Sequence, residues 1–422
     1  MTIFPRGIVL PFQKGTAPHQ PIGELQPAQP VRIPLLRPSE ERIPTVSLAE
    51  NAPVAAGEVL YLENEQETPA LAGVAGTVSG TVVLNHPQYG ELLCAELHPT
   101  GTATEALPVL PEAELTADAV IRIARQAAIY DELDGVPLWE KLRAWQLPQG
   151  DEAAAGCILV ADATENDVFG SAAWAVLNNE PEACLDGLTL AAKALRFTRY
   201  HIATMLPKEQ RRALKRAIGR VNVYTVADEY PVTVYADGNA EVFRIGIQAC
   251  LALAGAVRRG EKQLGTVLSI AGDGVPQSRN LRVPFGTAIE EILHHTDADP
   301  QAQVVLGDAM TGVACADTRL PLLPGTTTLL VLKNRPVRPA QPCIGCGRCA
   351  AVCHAELLPY EIVRRLENMH YERLQHLSPW ECDGCSACSY VCPAGRPVAA
   401  EVLRAGEQHG TVFLNWGDDP DE

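Results

Sequence analysis

The sequence predicts a multidomain protein that combines α/β and α+β units, and three observations support this prediction. Helix and strand signals alternate between residues 116 and 230. Strands surround a Gly-Asp-Gly turn between residues 265 and 335, and two spaced runs of cysteines follow residue 340. A chain of 422 residues is long enough for several such units, each with its own core.

The first domain is predicted to cover residues 1–105. Residues 1–40 are rich in proline and lack hydrophobic periodicity, so we expect them to wrap over the other units. The run from Ala75 to Leu84 alternates small, polar and apolar residues, which is typical of a half-buried strand pair. This pattern resembles a barrel-sandwich module of the lipoyl or biotinyl type. Such carriers present a modified lysine, and since no lysine lies between Lys14 and Lys141, a structural module is predicted.

Residues 106–260 are predicted to form an α/β domain. Thr116 to Leu133 has helical spacing, and the continuous apolar run Cys157–Ala161 is expected of a buried parallel strand. Ala183 to Phe197 returns to helical spacing, and this alternation favours a layered α/β arrangement. The predicted apolar face of the first helix consists of Val120, Ile123, Ala127 and Tyr130.

A basic helix is predicted next, in a chain whose formal net charge is −17. Two interpretations stay open: a solvated helix face, or a docking surface for an acidic partner. The basic residues of this helix are Lys208, Arg211, Arg212, Lys215, Arg216 and Arg220.

Residues 261–335 are predicted to form a small α+β unit. Thr266–Val275 has the pattern of a strand that ends in a Gly-Asp-Gly turn, and Val283–Leu293 that of a second strand followed by a helix. This order resembles a β-grasp module of the soluble-ligand-binding type, abbreviated SLBB. The resemblance concerns the fold and identifies no ligand.

The charge and the hydropathy of the chain limit its partners and its location. A net charge of −17 repels phosphate backbones, which excludes a nucleic-acid partner, and it favours redox partners with basic docking patches or serves solubility alone. No N-terminal run has the length of a secretory signal, and no stretch approaches the ~20 apolar residues of a transmembrane helix. We therefore expect a cytoplasmic protein, with peripheral association at the cytoplasmic face of the inner membrane only through a partner.

Eight cysteines lie in two runs that share the spacing C-x2-C-x2-C-x3-C, and Pro393 follows the second run. In two-cluster ferredoxins with this spacing, the fourth cysteine of each run binds the other [4Fe–4S] cluster. The expected ligands of the first cluster are Cys343, Cys346, Cys349 and Cys392. The expected ligands of the second cluster are Cys382, Cys385, Cys388 and Cys353.

Iron–sulfur chemistry suits these residues, because thiolates are soft metal ligands. Small residues such as Gly345 and Gly384 let backbone amides approach the sulfur atoms. Zinc is the competing interpretation, since C-x2-C pairs also build zinc sites. Two complete runs of four with a trailing Cys-Pro favour two [4Fe–4S] clusters. A two-cluster, ferredoxin-like α-helical domain is therefore predicted over residues 336–422.

Other features of this region carry predictions as well. His354 stands where proline usually follows the fourth cysteine, and it is either a tolerated loop substitution or a hydrogen-bond donor near a cluster. An amphipathic helix is predicted from Tyr360 to Leu377, with Met369 in its buried stripe. The remaining cysteines are expected to be buried free thiols, and they are Cys94, Cys157, Cys184, Cys250 and Cys315.

Taken in order, these units resemble one family, the C subunit of the Rnf electron-transport complex and its soluble relatives. The likeness covers nearly the whole chain. It is closest at Gly7-Ile-Val-Leu-Pro11, Cys343-Ile-Gly-Cys-Gly-Arg-Cys349, Leu357-Leu-Pro359 and Cys388-Ser-Tyr-Val-Cys-Pro393. The resemblance implies an α/β domain like the flavin-binding subunit of NADH dehydrogenase. Members of this family take electrons from NADH onto FMN and pass them through two [4Fe–4S] clusters.

The segment that matches the flavin loop of this family departs from it. The family has a glycine-rich loop, G-x-G-G-A-G-F-P-T, whose backbone amides reach a phosphate. In the matching segment Ala127–Leu142, only Gly135 remains of these glycines, while Asp131, Glu132 and Asp134 bring negative charge. One carboxylate at contact distance from a phosphate costs roughly 1–4 kcal/mol.

Two other segments also depart from the family. The stretch Val160–Asp167 keeps little of the family motif Asn-Gly-Ala-Glu-Cys-Glu-Pro-Tyr, and the segment after Tyr230-Pro231 is shorter. We therefore expect that FMN and NADH are not bound. In this respect the chain is similar to the electron-transfer protein associated with proline reductase, one of the soluble relatives.

Three functions are compatible with these features. The first is a relay that passes electrons through two [4Fe–4S] clusters to a partner reductase or an Rnf-type complex, as a carrier or subunit without catalytic residues of its own. The second is an FMN-dependent NADH:acceptor oxidoreductase subunit, as the family implies. The third is a ligand-binding or scaffold protein that serves a reductase through the β-grasp unit. The relay requires only the eight cysteines, and it is the function we expect.

Overall fold

The computed structural model describes the chain outside a set of short stretches. These stretches are residues 1–6, 16, 36–47, 65–66, 148–155, 166, 219–221, 226–229, 232–239, 337–338, 371–373 and 415–422. In the described part, sheets and helices combine into a mixed α/β, multidomain architecture.

The strands and helices are as follows. The strands are β1 (Gly23–Glu24), β2 (Val31–Pro34), β3 (Pro53–Val54), β4 (Val59–Tyr61), β5 (Ala70–Leu71), β6 (Gly76–His86), β7 (Gly90–Pro99), β8 (Cys157–Ala163), β9 (Tyr200–Thr204), β10 (Asn222–Thr225), β11 (Glu241–Gly246), β12 (Gly265–Ala271), β13 (Arg279–Pro284), β14 (Gln303–Leu306), β15 (Val313–Cys315) and β16 (Thr328–Leu332). The helices are α1 (Ala117–Gln126), α2 (Leu138–Trp145), α3 (Ala172–Asn179), α4 (Pro181–Leu195), α5 (Lys208–Ile218), α6 (Ile247–Arg259), α7 (Ile289–His295), α8 (Arg348–Val352), α9 (Pro359–Glu367), α10 (Ala387–Tyr390) and α11 (Val398–Leu414).

The N-terminal sheet is antiparallel, with the strand order β2-β7-β6-β3. It is built on the long hairpin of β6 and β7, whose tight turn runs from His86 to Gly90. Gly90 has a φ of 72°, a conformation that glycine adopts without steric cost. Val78 of β6 and Leu97 of β7 face a small core, as expected from the alternation of small, polar and apolar residues in the sequence.

The central sheet is parallel throughout, with the strand order β10-β9-β8-β11. All residues of β8 are buried, as predicted for Cys157–Ala161. Helices α1, α4 and α6 complete the largest apolar core together with this sheet. Helices α4 and α6 approach so closely that a Cβ atom on Gly187 would lie 1.7 Å from the Cys250 carbonyl oxygen. The carboxyl ends of β8 and β11 lie side by side at the N-terminus of α6.

The third sheet is mixed, with the strand order β1-β13-β12-β16-β14-β15. Strand β1, from the N-terminal segment, pairs in parallel with β13. The N-terminal segment therefore reaches a sheet formed by residues more than 200 positions away. Helix α7 covers a core that contains Leu268, Ile289 and Leu329.

The C-terminal region consists of short helices and loops. Helices α9 and α11 pack on a core that includes Ile362 and Val402. The helix predicted from Tyr360 to Leu377 is shorter than expected and ends at Glu367. Met369 has a φ of 55°, which does not continue a right-handed helix, and its side chain is 70% exposed rather than buried.

The helix predicted from Thr116 to Leu133 is also shorter, because α1 ends at Gln126. Ala128 has a φ of 50° and turns the chain away from the helix axis. Tyr130 consequently lies in an isolated bridge with Pro137 instead of on the helix face.

Helix α5 forms where the basic helix was predicted, and Arg212, Lys215 and Arg216 on it are exposed. Arg220 lies outside the described residues. Among the helices of the described part, none is both long and apolar enough to cross a membrane.

Candidate metal centre

The two cysteine runs form loops of the same backbone shape. In the first loop Gly345 and Gly347 have φ values of 67° and 72°. In the second loop Gly384 and Ser386 occupy the equivalent positions, with φ values of 74° and 62°. A short helix begins directly after each loop, α8 at Arg348 and α10 at Ala387. The left-handed residues wind each loop tightly, so that three cysteines face one cavity.

The structure sorts the eight cysteines into two cavities. A cavity of about 600 Å³ is lined by Cys343, Cys346, Cys349 and Cys392. A smaller cavity is lined by Cys353, Cys382, Cys385 and Cys388. Each cavity thus joins three cysteines of one run with the fourth cysteine of the other run, which is the grouping expected from the spacing. Binding of metal by these thiols stays a prediction.

Burial weakens four of these thiols as acids. It raises the pKa of Cys385 and of Cys388 to about 12 and also raises the pKa of Cys349 and of Cys382. Hydrogen bonds from backbone amides oppose this effect, for example from Ala387 to Cys385. A bound metal ion requires thiolates, so loading these cavities would release protons. Four soft donors in each cavity fit an iron–sulfur cluster.

His354 contacts a carboxylate beside the smaller cavity. Its Nε2 lies 2.7 Å from Oδ2 of Asp383, and the other carboxylate oxygen accepts a hydrogen bond from the Cys385 amide at 3.1 Å. The ligand atoms of His354, Asp383 and Cys385 lie within 4.8 Å of one another. His354 and Asp383 therefore both line this cavity, and the Asp383 carboxylate links His354 to the amide of Cys385.

Tyr230 joins the smaller cavity to the rest of the protein. Its hydroxyl donates a hydrogen bond of 2.7 Å to the carbonyl oxygen of Cys385. Its ring lies in an apolar cluster with Leu10, Val168 and Ala387. No pattern in the sequence connects Tyr230 with the cysteine loops, because the partners are 155 residues apart.

The segment that resembles a degenerate flavin loop folds onto the N-terminus of α6. The Glu132 carboxylate accepts hydrogen bonds from the amides of Gln248 at 2.6 Å and Ala249 at 3.0 Å. The Asp131 carboxylate accepts a hydrogen bond from the Gly246 amide at 2.9 Å and another from Lys141 at 2.7 Å. Two carboxylates of this segment thus use the free N–H groups at the start of the helix.

A side chain at position 246 would displace the Glu132 carboxylate from the amides of α6. A Cβ atom on Gly246 would lie 2.0 Å from the carboxyl carbon of Glu132.

Burial, together with the neighbouring charge of Asp131, raises the pKa of Glu132 to about 8. Burial also raises the pKa of Asp131, although Lys141 opposes this shift.

A cavity of about 690 Å³ opens in front of this segment, at the carboxyl ends of β8 and β11. Its cationic side chains are Lys141, which pairs with Asp131 and Asp134, and Arg244, which pairs with Asp162. The acidic residues on its wall are Glu132, Asp134, Asp162, Glu165 and Glu241. Among the residues that the structure describes, the wall therefore presents carboxylates, and its cations Lys141 and Arg244 are already paired.

The stretch Val160–Asp167, the segment after Tyr230-Pro231 and the five remaining cysteines were also considered for function from the sequence. Thr164 donates a hydrogen bond of 2.7 Å to Asp162, in the stretch predicted to have lost a nucleotide motif. Asn166 of that stretch lies outside the described residues, as does the segment of residues 232–239 after Tyr230-Pro231. The cysteines outside the two runs are all buried, and they are Cys94, Cys157, Cys184, Cys250 and Cys315.

The cysteine loops coincide with a known domain. Residues 342–396 match the family described as the 4Fe-4S dicluster domain. This match supports iron–sulfur clusters in the C-terminal region, which is ferredoxin-like. The first cysteine run, the second run and their eight cysteines all lie within the matched residues.

Similar proteins extend the comparison to the rest of the chain. The C subunit of an ion-translocating oxidoreductase complex from Rhodobacter capsulatus is 30% identical over 199 residues, which make up 46% of this chain and 36% of that protein. The chain thus spans about a third of the length of that relative. The C subunit of the Na(+)-translocating ferredoxin:NAD(+) oxidoreductase complex from Acetobacterium woodii is 22% identical over 408 residues, or 88% of this chain and 89% of that protein.

Among solved structures, an NAD+-reducing [NiFe]-hydrogenase in the H2-reduced state superposes with a TM-score of 0.47 and 16% identity. The superposition covers 70% of this chain and 61% of the hydrogenase chain. The sequence similarity to C subunits over most of the chain and the dicluster match together confirm the resemblance stated from the sequence. The chain is RnfC-like, a relative of the C subunits of Rnf-type oxidoreductase complexes.

Proposed function

We propose that this chain is an electron-transfer protein that relays electrons through two [4Fe–4S] clusters to a partner reductase or an Rnf-type complex. The observation that supports the proposal best is the sorting of eight cysteines into two cavities, each with the donor set of one cluster. The larger cavity would hold its cluster through Cys343, Cys346, Cys349 and Cys392. The smaller cavity would hold its cluster through Cys382, Cys385, Cys388 and Cys353.

When bound, such clusters supply one-electron storage at two adjacent positions. The residues of this protein then have three tasks. The thiolates hold the irons, the backbone amides of the loops donate hydrogen bonds to sulfur, and the apolar core around Ile362 and Val402 limits water. Nothing in this function requires a general acid, a general base or a nucleophile.

We further propose that FMN and NADH are not bound in the cavity at the N-terminus of α6. The amides of Gly246, Gln248 and Ala249 would be the natural phosphate donors there, and Asp131 and Glu132 already use them. A phosphate would have to displace both carboxylates and would then face Asp162 and Glu165. The residues present do not fit a phosphorylated flavin.

A second function, an FMN-dependent NADH:acceptor oxidoreductase subunit, is favoured by one observation. The cavity of about 690 Å³ lies at the carboxyl ends of parallel strands, where α/β proteins commonly bind nucleotides. We rank it below the relay because the carboxylates of the cavity oppose a phosphate.

We also propose the domain boundaries that the sequence predicts. Residues 1–105 would form the N-terminal wrap and a barrel-sandwich module, 106–260 the α/β domain, 261–335 a β-grasp module of the SLBB type, and 336–422 the two-cluster domain. The antiparallel sheet on β6 and β7 and the mixed sheet around β12 are compatible with these assignments. A role of the β-grasp unit as ligand-binding or scaffold surface is a third, less supported function.

The proposed partners are a reduced donor and a terminal reductase or a membrane complex. The similar C subunits are named as parts of ion-translocating complexes, so attachment to a membrane would occur through such a partner. We propose a cytoplasmic location on this basis.

Anaerobic purification followed by flavin analysis and NADH addition distinguishes the two main functions. The relay predicts no flavin and no change in the visible absorption of the clusters when NADH is added, whereas dithionite bleaches it. Stoichiometric FMN with bleaching by NADH would reject the relay in favour of the dehydrogenase subunit. A Glu132→Gln variant is the matched control, because it removes the ionisable group and keeps the size of the side chain.

A further inference from the structure

The two cysteine loops share a backbone shape but differ in the residue that follows the first cysteine. This residue is Ile344 in the first loop and Asp383 in the second. Asp383 lines the smaller cavity, where a carboxylate oxygen lies within 4.8 Å of the Cys385 sulfur and of a ring nitrogen of His354. The smaller cavity therefore has a carboxylate at the position where the larger cavity has an apolar side chain.

Two hydrogen bonds hold Asp383 beside the cavity. Its Oδ2 lies 2.7 Å from Nε2 of His354, and its Oδ1 accepts the hydrogen bond of the Cys385 amide at 3.1 Å. This amide is thereby less available to a sulfur atom, and amides that donate to sulfur stabilise the extra negative charge of a reduced cluster. Ile344 cannot accept a hydrogen bond from the corresponding amide of Cys346.

The other charged side chains add to the difference between the cavities. Those that line the larger cavity are Arg348, Arg364, Arg396 and Glu367. Ion pairs with Glu361 and Glu401 offset part of this charge, so the larger cavity is surrounded by a sum that is not negative. Among the described residues that line the smaller cavity there is no lysine or arginine, and the pair of His354 and Asp383 is neutral or negative in either state of the imidazole.

A further carboxylate lies near the second loop. The Tyr230 hydroxyl, which donates to the carbonyl of Cys385, has a raised pKa because of burial and, next, because of the carboxylate of Asp308. Asp308 and Asp383 are therefore both close to the loop that contains Cys385. The four thiolates and the proposed cluster are the same in both cavities and cancel in the comparison, so the surroundings make the smaller cavity the more negative one.

Solvent favours reduction at the larger cavity as well. Cys343 and Cys346 are exposed, whereas Cys388 is buried and the other three cysteines of the smaller cavity are partly buried. Reduction of a cluster adds a negative charge, which water stabilises and nearby carboxylates oppose. Exposure, surrounding charge and amide hydrogen bonds thus all act in the same direction.

We propose that Asp383, held by His354, lowers the reduction potential of the cluster in the smaller cavity, so that an electron shared by the two clusters rests at the larger, solvent-facing cavity. The proposal rests on the proposed relay and adds its internal direction, from the smaller cavity to the larger one. Asp383 binds no iron in this arrangement and acts through its charge and through the Cys385 amide. Its side chain is 48% exposed, so water screens part of its effect.

A redox titration of the anaerobically purified full chain, followed by electron paramagnetic resonance, tests this proposal. Wild type is expected to show two reduction steps. Asp383→Asn keeps the size of the side chain and an acceptor for the Cys385 amide, and it should shift the equilibrium of the lower step about fivefold toward the reduced form. Ile344→Asp adds a carboxylate at the larger cavity and should shift the upper step toward the oxidised form.

Glu381→Gln is the matched control. Glu381 is exposed, lies two residues from Asp383 and does not line the cavity, and its replacement changes the net charge by the same amount. We expect it to shift either step less than about twofold, because water screens its charge. An equal shift in Asp383→Asn and Glu381→Gln would overturn the proposal. A shift of the upper step in Asp383→Asn would also overturn it, since the order of the two potentials would then be reversed.

Iron and acid-labile sulfide, measured on every sample before the titration, separate the possible failures. If the wild-type protein holds no clusters, the relay and this proposal both fall. If Asp383→Asn keeps both clusters and leaves the lower step unchanged, the role of Asp383 is rejected and the relay stands. If Asp383→Asn does not keep the cluster of the smaller cavity, Ile344→Asp decides, and an unchanged upper step in that variant would overturn the proposal.

Discussion

The hydroxyl of Tyr230 donates a hydrogen bond of 2.7 Å to the main-chain carbonyl of Cys385. The main chain of Tyr230 also exchanges two hydrogen bonds with Ile8, at 2.7 and 3.0 Å. Tyr230 thus joins the N-terminal segment to the second cysteine loop. In the proposed relay, this contact fixes the loop of the smaller cavity against the body of the protein.

Replacing Tyr230 by Phe removes the hydrogen bond and keeps the ring. We expect both clusters to assemble, with iron leaving the smaller cavity about fivefold faster in the presence of a chelator, since one hydrogen bond contributes about 1 kcal/mol. The release of iron is followed by absorbance. Tyr390→Phe is the control, because Tyr390 is 55% exposed and lies in the same loop region. Equal rates of iron release in Tyr230→Phe and wild type would contradict this role.

Substitution of the fourth cysteine of each run tests whether that cysteine binds the cluster held by the other run. Cys392→Ser is expected to impair the site that contains Cys343, and Cys353→Ser the site that contains Cys385. The electron paramagnetic resonance spectrum of each variant reports the cluster that remains. The spectrum of Cys392→Ser should match that of Cys346→Ser, and the spectrum of Cys353→Ser should match that of Cys385→Ser. Cys315→Ala, which changes a buried thiol in strand β15, should leave both signals unchanged. A Cys392→Ser spectrum that matches Cys385→Ser would contradict the grouping.

Glu132 makes stability depend on pH. Its pKa is about 8 in the folded chain and ordinarily 4.5, so the folded chain binds the extra proton between these values. Its contribution to the free energy of unfolding is therefore present below about pH 4.5 and is lost as the pH rises through about 8. The wild type is expected to lose stability relative to Glu132→Gln over this range, by at most about 1.4 kcal/mol per pH unit.

Urea denaturation of both proteins at several pH values between about 5 and 9 measures this difference. Glu182→Gln provides a control, because Glu182 lies at the exposed start of α4. A difference between wild type and Glu132→Gln that stays constant over the range would show that Glu132 does not change its protonation there.

Lys14 holds the N-terminal segment against the loop between β8 and α3. Its buried ammonium group donates hydrogen bonds to the carbonyl oxygens of Glu165 at 2.9 Å, Asp167 at 2.6 Å and Gly170, and it lies 4.9 Å from the ring centroid of Trp174. Lys14→Met would leave three carbonyl groups without this donor. We expect the free energy of unfolding to fall by about 2–4 kcal/mol.

Chemical denaturation measures this loss, and limited proteolysis shows whether the N-terminal segment is cleaved sooner. The exposed Lys333 provides the control, since Lys333→Met should shift the transition by less than about 0.5 kcal/mol. Cleavage of Lys14→Met at the wild-type rate would show that the segment is held by other contacts.

The sequence was most informative where spacing itself carries the chemistry. The C-x2-C-x2-C-x3-C runs, together with the exchange known for two-cluster ferredoxins, predicted which cysteines meet at each cavity, and the structure brings those residues together. The buried strand at Cys157–Ala161 was equally predictable, because an uninterrupted apolar run has few alternatives in an α/β domain.

Contacts between distant residues were not predictable from local patterns. The carboxylates of Asp131 and Glu132 were expected only to oppose a phosphate, and the structure adds that they bind the amides of α6, 115 to 117 residues away. The helix ends at Gln126 and Glu367 were missed because Ala128 and Met369 have positive φ values that their residue types do not favour. In both cases the tertiary structure overrides local preference.

The central claim is that the eight cysteines hold two [4Fe–4S] clusters, and metal analysis of the anaerobically purified protein tests it most directly. We predict about eight irons and eight acid-labile sulfides per chain, with no stoichiometric zinc. One or two zinc ions per chain without sulfide, or no iron after reconstitution, would contradict the claim and with it the proposed relay.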